Sequence, residues 1–432
     1  LFTILRRQFS GGFTLLILEK LDLDSLSFIL IITSLSLLWG SLRARGDNLM
    51  MRMWLVLIVG LSPLSTFADS LVYKSGYTQT LRLYDTEKNS RNKILRKVRD
   101  FQVSEKAAAF HDRNGSFFIY DFESKKRHYL GRNAFSFKLT GTTIAFEDVN
   151  GRLFCGSSEN GFLRLVDSNV REFQAGSRRV FYIDQQGWLR YFDVRSGRKG
   201  VVDEAAVTFQ LGSDLLVFKD SGNRLWQARQ QFPKKMPLDI SAREFHVSEK
   251  WLAFIGSYGE LELYDLKMKK IIFASNDVKK FLITSNLLVY SMTFGGVVAR
   301  DLSSSQEHFL GDIKGEWRAV GNLVAYESWG SVMVYDHDLG RAVQLEPFIN
   351  RYVLGKSGLA FRTTSGALKF YNSDEGETKQ LTGNVADFLI GKGSPPVNVY
   401  PQKNQDKSSN QTQKENFQAL FKALPNPEQA AE

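Results

Sequence analysis

A period of about 36 residues runs along most of this chain, and repeats of that length constrain a fold more tightly than any local signal. Phe101, Phe137, Phe173, Phe209, Phe245, Phe281 and Trp317 stand 36 apart; Tyr352 follows at 35 and Phe388 at 36. Their contexts match, as in DFQVSEK, EFQAGSR and EFHVSEK. Nine residues after most of them a second aromatic closes an apolar run: Phe110, Phe146, Tyr182, Phe218, Phe254, Tyr290, Tyr326 and Phe361, with Tyr73 an earlier member. Short, continuous apolar runs fit strands buried on both faces. A glycine follows four or five residues later, at Gly115, Gly151, Gly187, Gly222, Gly259, Gly295, Gly330 and Gly366, where a tight hairpin needs positive φ. A third run ends in Asp or Asn, as in SFFIYD, ELELYD and SVMVYD, a residue that bonds its own backbone and starts a turn. A weaker fourth run, such as KIIFAS, completes the unit. The four runs are strands a, b, c and d.

The two ends of the array complement each other. The first unit, from Leu71, begins at strand b, and the last segment, Ala386–Gly391, is a strand a with nothing after it. Pairing the two closes a ring and leaves no open edge. The expectation is an all-β propeller of four-stranded blades, closed by a C-terminal strand that completes the first blade. Nine blades are counted; eight is the alternative if the divergent first unit forms none.

Outside residues 69–391 the composition changes. Residues 1–49 contain no Met and read as untranslated upstream sequence or an uncertain extension, with a membrane anchor at Phe28–Trp39 as the alternative. Residues 50–68 read as a signal peptide: Arg52 is positive, Trp54 to Leu61 is a compact apolar core, and Thr66-Phe67-Ala68 places small residues at −3 and −1. Asp69 is then the mature start, in a periplasmic or secreted protein with no stable membrane insertion. Residues 392–432 read as a disordered tail. Within it Phe417, Leu420, Phe421 and Leu424 form one apolar stripe on a short helix over 415–424, stopped by Pro425. That stripe is a candidate docking peptide for a groove on the ring or on another protein.

The Tyr-Asp or Phe-Asp pair that ends strand c resembles the Trp-Asp of WD40-type propellers. It occurs as Tyr84-Asp85, Tyr120-Asp121, Phe192-Asp193, Tyr264-Asp265 and Tyr335-Asp336. The likeness covers residues 70–391 and is one of register, since the Gly-His pair of WD40 repeats is absent. The chain looks like a divergent bacterial WD40-like or TolB-like exported propeller. Such proteins are mostly binding scaffolds, so the resemblance implies interaction and carries over no site residue.

The residue types that do chemistry are sparse. Cys155 is the sole cysteine, which removes intramolecular disulfides and reads as a small buried hydrophobe. Five histidines show no metal spacing, and no nucleophile or phosphate-loop motif occurs. Asp112, Asp148, Asp184 and Asp220 recur at 36-residue spacing, but calcium needs six to eight converging oxygens, so they read as turn residues. No cofactor is called. The formal net charge of +10 is modest on 432 residues and lacks a basic run interleaved with aromatics, which argues against nucleic acid. The position before each strand-a aromatic is acidic in five units, at Asp100, Glu172, Glu244, Glu316 and Asp387. These acids form a candidate binding ring at one channel mouth for a cation or a basic segment. The sequence thus points to a monomeric, exported, non-enzymatic binding or scaffold protein for protein–protein interaction, its partner unidentified. The alternative is a hydrolase or lyase acting on a polymer at the channel mouth.

Overall fold

A computed structural model describes residues 70–85, 90–132, 134–313 and 315–391, together with the backbone of strands Ile4–Gln8, Thr14–Leu18 and Val397–Asn398. The chain divides into two units, Leu1–Thr66 and Phe67–Glu432. Among the described residues the first contains one antiparallel pair, Ile4–Gln8 with Thr14–Leu18. The expected signal peptide and the docking helix 415–424 lie outside the described residues.

The described residues of the second unit form nine antiparallel sheets, eight of four strands and one of five, each built on a four-stranded blade. Blade 1 combines residues 70–95 with the C-terminal strand Val385–Ile390. Blades 2 to 9 span 98–132, 134–168, 172–203, 206–241, 244–275, 280–311, 317–344 and 349–382. In blade 6, strands a to d are Glu244–Val247, Trp251–Ile255, Leu261–Asp265 and Lys270–Ser275. The nine-residue spacing of aromatics is the hairpin register, because each strand-a aromatic lies opposite its strand-b partner: Phe101 faces Phe110, Phe245 faces Phe254 and Tyr352 faces Phe361. In blade 1 the same pair, Phe388 with Tyr73, joins the two ends of the array. The eight-blade alternative therefore does not hold; the divergent first unit is a full blade.

Packing explains why strand b is apolar throughout. Side chains alternate across a strand, and each face of a blade meets a neighbour. Ala107 and Ala109 pack toward blade 3, whereas Ala108 and Phe110 pack toward blade 1. The core is consequently nine apolar wedges, one at every blade interface, including that between blades 9 and 1. Of the strand-a aromatics only Phe137 falls short of full burial. Cys155 is buried in the wedge between blades 3 and 4, and burial pushes its thiol up to about 12.

Strand a is innermost, since strands a of successive blades approach one another and that of blade 1 touches those of blades 2 and 9. The antiparallel meander then defines two faces. One carries the a–b and c–d turns; the other carries the b–c turns and the links from strand d to the next strand a.

The recurring aspartates are turn residues. Asp112 Oδ1 accepts from the amides of Asn114 and Ser116, at 2.8 and 2.9 Å. Asp148, Asp184 and Asp220 repeat the pattern. In blade 5 the positive φ belongs to Asn223, at 64°, and not to the expected Gly222. Asn tolerates that region better than other side chains, and its amide closes the turn on Asp220.

One pairing goes beyond the blades. Val397–Asn398 adds a fifth strand to blade 9, antiparallel to strand a Ile349–Leu354, with Val397 opposite Tyr352 and Asn398 opposite Arg351. Val397–Asn398 thus runs opposite to Val385–Ile390 and points toward the b–c face.

Candidate functional site

The b–c turns are built alike but tipped differently. Blades 2 to 5 present Asn114, Asn150, Gln186 and Ser221 beside the turn. Blades 6, 7 and 8 present Tyr258, Phe294 and Trp329, which are 97%, 94% and 102% exposed. Tyr77 holds the comparable place in blade 1 and is 87% exposed, and Phe348 is exposed on the link into blade 9. The aromatics therefore form one arc over blades 6, 7, 8, 9 and 1. Elsewhere on this face Phe135, Val149 and Val207 are exposed singly and less completely.

The backbone accounts for the turns and not for their side chains. In blades 6 and 7 the turn-closing aspartate of the repeat is replaced by Gly256 and Met292, and Gly259 and Gly295 supply the positive φ. In blade 8 the turn is two residues long: Ser328 pairs with Ser331, and both Trp329 (φ 52°) and Gly330 (φ 77°) are left-handed. Such a turn favours Asn-Gly or Gly-Gly. A large aromatic in that conformation is an outlier, and Trp329 gains no burial in return. Phe348 is likewise left-handed, at φ 67°. These residues were missed in the sequence although the signal was present: Ser257-Tyr258-Gly259, Thr293-Phe294-Gly295 and Ser328-Trp329-Gly330 recur at the repeat spacing.

The five ring acids sit at equivalent strand-a positions on this same face, and cations meet most of them. Asp387 pairs with Arg351 at 2.7 Å; Glu316 pairs with Arg318 at 2.6 Å and with Lys280 at 3.3 Å. Lys280 and Arg351 fill the same repeat position in blades 7 and 9, so the basic exceptions to the acidic series neutralise their neighbours. Asp100 lies 2.5 Å from Nδ1 of the buried His111 and 2.8 Å from Arg99, and Glu244 lies 3.5 Å from His246. Glu172 differs: burial pushes its carboxyl up, partly offset by hydrogen bonds from Gln174 and Thr208.

On the opposite face the channel mouth is a cavity of about 590 Å³ lined by a–b turns, including Gly141, Gly176, Gly212, Ser248 and Gly321. Two of its polar side chains join neighbouring blades: Gln174 Nε2 donates to Phe209 O at 2.9 Å and Thr284 Oγ1 to Gly321 O at 2.8 Å. A nearby cleft of about 420 Å³ contains Asp301, Ser303 and His337. His337 Nε2 lies 2.9 Å from Asp301 Oδ2, but the Ser303 hydroxyl donates to Asp301 at 2.7 Å. A base must accept the nucleophile's proton, so this trio is not wired as a triad.

A closed ring of four-stranded blades around a narrow channel defines a β-propeller. The chain belongs to the 10-bladed beta propeller domain family, whose model matches residues 66–298, although its own ring has nine blades. No curated protein matches the sequence. Among solved structures it is similar to apo AztD from Citrobacter koseri, at 10% identity and TM-score 0.42 over 76% of this chain and 99% of that one. It is also similar to the computationally designed Ika8 protein, at 11% and 0.40 over 62% and 93%. BamB from Moraxella catarrhalis matches at 14% and 0.39 over 63% and 96%.

Proposed function

We propose that this chain is an exported, non-enzymatic scaffold of the WD40-like or TolB-like kind that holds a protein partner on the b–c face of blades 6 to 9 and 1. The observation that carries the reading is the run of fully exposed aromatics on successive blades, one of them held in a left-handed turn. Aromatics lead the residues that anchor interfaces, and here they recur on the same face of successive blades with nothing of the ring covering them. Burying each ring against a partner contributes about 1.5–3 kcal/mol. The ring acids Asp100, Glu172, Glu244, Glu316 and Asp387 form the polar centre of the same face, and we propose that Glu172 and Glu244, which no Lys or Arg among the described residues pairs with in a salt bridge, are the two that meet a basic segment of the partner. Export rests on the apolar run and small-residue boundary of residues 50–68. The alternative, a hydrolase or lyase working on a polymer at the channel mouth, has in its favour only the raised carboxyl of Glu172.

The test is capture from the native envelope with tagged full-length protein and with the Tyr258→Ser, Phe294→Ser, Trp329→Ser variant. The proteins retained by the wild type should be lost from the variant while the melting curve is unchanged. An identical captured set from both moves the binding surface elsewhere.

A further inference from the structure

We infer that the C-terminal stripe Phe417, Leu420, Phe421 and Leu424 docks on the aromatic arc of its own ring and competes there with the protein partner. This rests on the arc being a binding surface. Three observations meet at one place. First, Val397–Asn398 runs antiparallel to strand a of blade 9 and so points toward the b–c face. Second, blade 9 lies within the arc, between Trp329 of blade 8 and Tyr77 of blade 1, and contributes Phe348 itself. Third, Phe417 follows Asn398 by 19 residues, a stretch that spans at most roughly 65 Å. Strands within a blade lie about 5 Å apart and packed sheets about 10 Å apart, so the b–c tips of blades 8, 9 and 1 are within reach.

The chemistry fits as well. The arc offers separated aromatic rings in water, and the stripe offers two phenylalanines and two leucines at i, i+3, i+4 and i+7, the anchor spacing of a helix laid on an apolar surface. A tail delivered to the correct face acts at an effective concentration of order millimolar, so even a weak contact occupies the arc. A partner must then displace the tail, which makes the tail a built-in regulator of access.

The test uses a fluorescent synthetic peptide of residues 411–426 and full-length protein. A chain carrying Phe417→Ser, Leu420→Ser, Phe421→Ser and Leu424→Ser should bind the peptide roughly tenfold or more tightly than the wild type, whose own tail competes at that effective concentration. Adding Phe294→Ser and Trp329→Ser should abolish the binding. Equal peptide affinity for wild type and tail variant overturns the inference, as does binding that ignores the tip substitutions. Concentration-dependent dimerisation abolished by the tail substitutions would assign the stripe to a second copy and also overturn it. If the peptide fails to bind but the tip variant still loses its envelope partner, the docking inference falls and the scaffold reading stands. If the peptide binds through the tips while envelope capture is unaffected by them, the scaffold reading falls and the tail docking stands.

Discussion

Trp329 and Phe245 are both aromatics at repeat positions, and they do opposite work. Phe245 is 3% exposed, faces Phe254 across the hairpin and fills the wedge between blades 5 and 6. Phe245→Ala should cost about 3–5 kcal/mol through the cavity it leaves, read as a lower denaturant midpoint; a neutral result would mean that the wedge does not close on this ring. Trp329 makes its backbone left-handed at a cost of about 1–2 kcal/mol and is fully exposed. Trp329→Asn should therefore raise stability by about 1 kcal/mol and weaken partner capture; a loss of stability would show that the indole packs on the ring after all. The period made Phe245 legible as core, because an aromatic recurs at its place in every unit and each face of a blade meets a neighbour. Trp329 escaped notice because Gly330 beside it accounts for a turn by itself. That the turn is only two residues long, forcing positive φ on both, depends on the pairing of Ser328 with Ser331, which the sequence does not display.

Hairpins and turns carry much of the charge. In the c–d turns, burial works against ionisation of Asp121, Asp193 and Asp301, yet hydrogen bonds from Ser124, Ser196 and Ser303 outweigh it and hold these carboxyls below the usual range. A carboxyl depressed in the folded state stabilises fully above its unfolded value near 3.9, and that contribution disappears as pH falls through the folded value. His246 acts earlier: burial pushes its imidazole down, outweighing the opposite pull of Glu244. The folded state therefore holds fewer protons on it, and stability declines as pH drops below about 6.5. The urea midpoint should begin to fall near pH 6.5 and fall more steeply below about pH 4. Asp301→Asn should flatten the acid limb, and an unchanged limb would remove this turn from the account. The turn aspartates were readable because their partners are two to four residues away. Two partners of the ring acids were not: Arg351 and Lys280 lie on the blades before those of Asp387 and Glu316, and only the register of the ring brings them to 2.7 and 3.3 Å.

Closure is the property of the whole molecule. Strand Val385–Ile390 pairs with Ser70–Ser75 and supplies side chains to the wedge between blades 9 and 1. A chain ending at Thr382 should expose the edge of Ser70–Ser75 and aggregate; a melt like that of the intact protein would contradict closure. The ring and its seam were legible because the two end fragments complement each other. The reversal of the tail was not, because two paired residues at Val397–Asn398 leave no periodic mark. If the arc over blades 6 to 9 and 1 meets a partner, photo-cross-linking in the native envelope captures that contact. A benzoylphenylalanine replacing Phe294 should form a specific adduct with another protein, and the same probe replacing Gln186, at the matching tip of blade 4, should not. Adducts at position 186 and none at 294 would contradict the account.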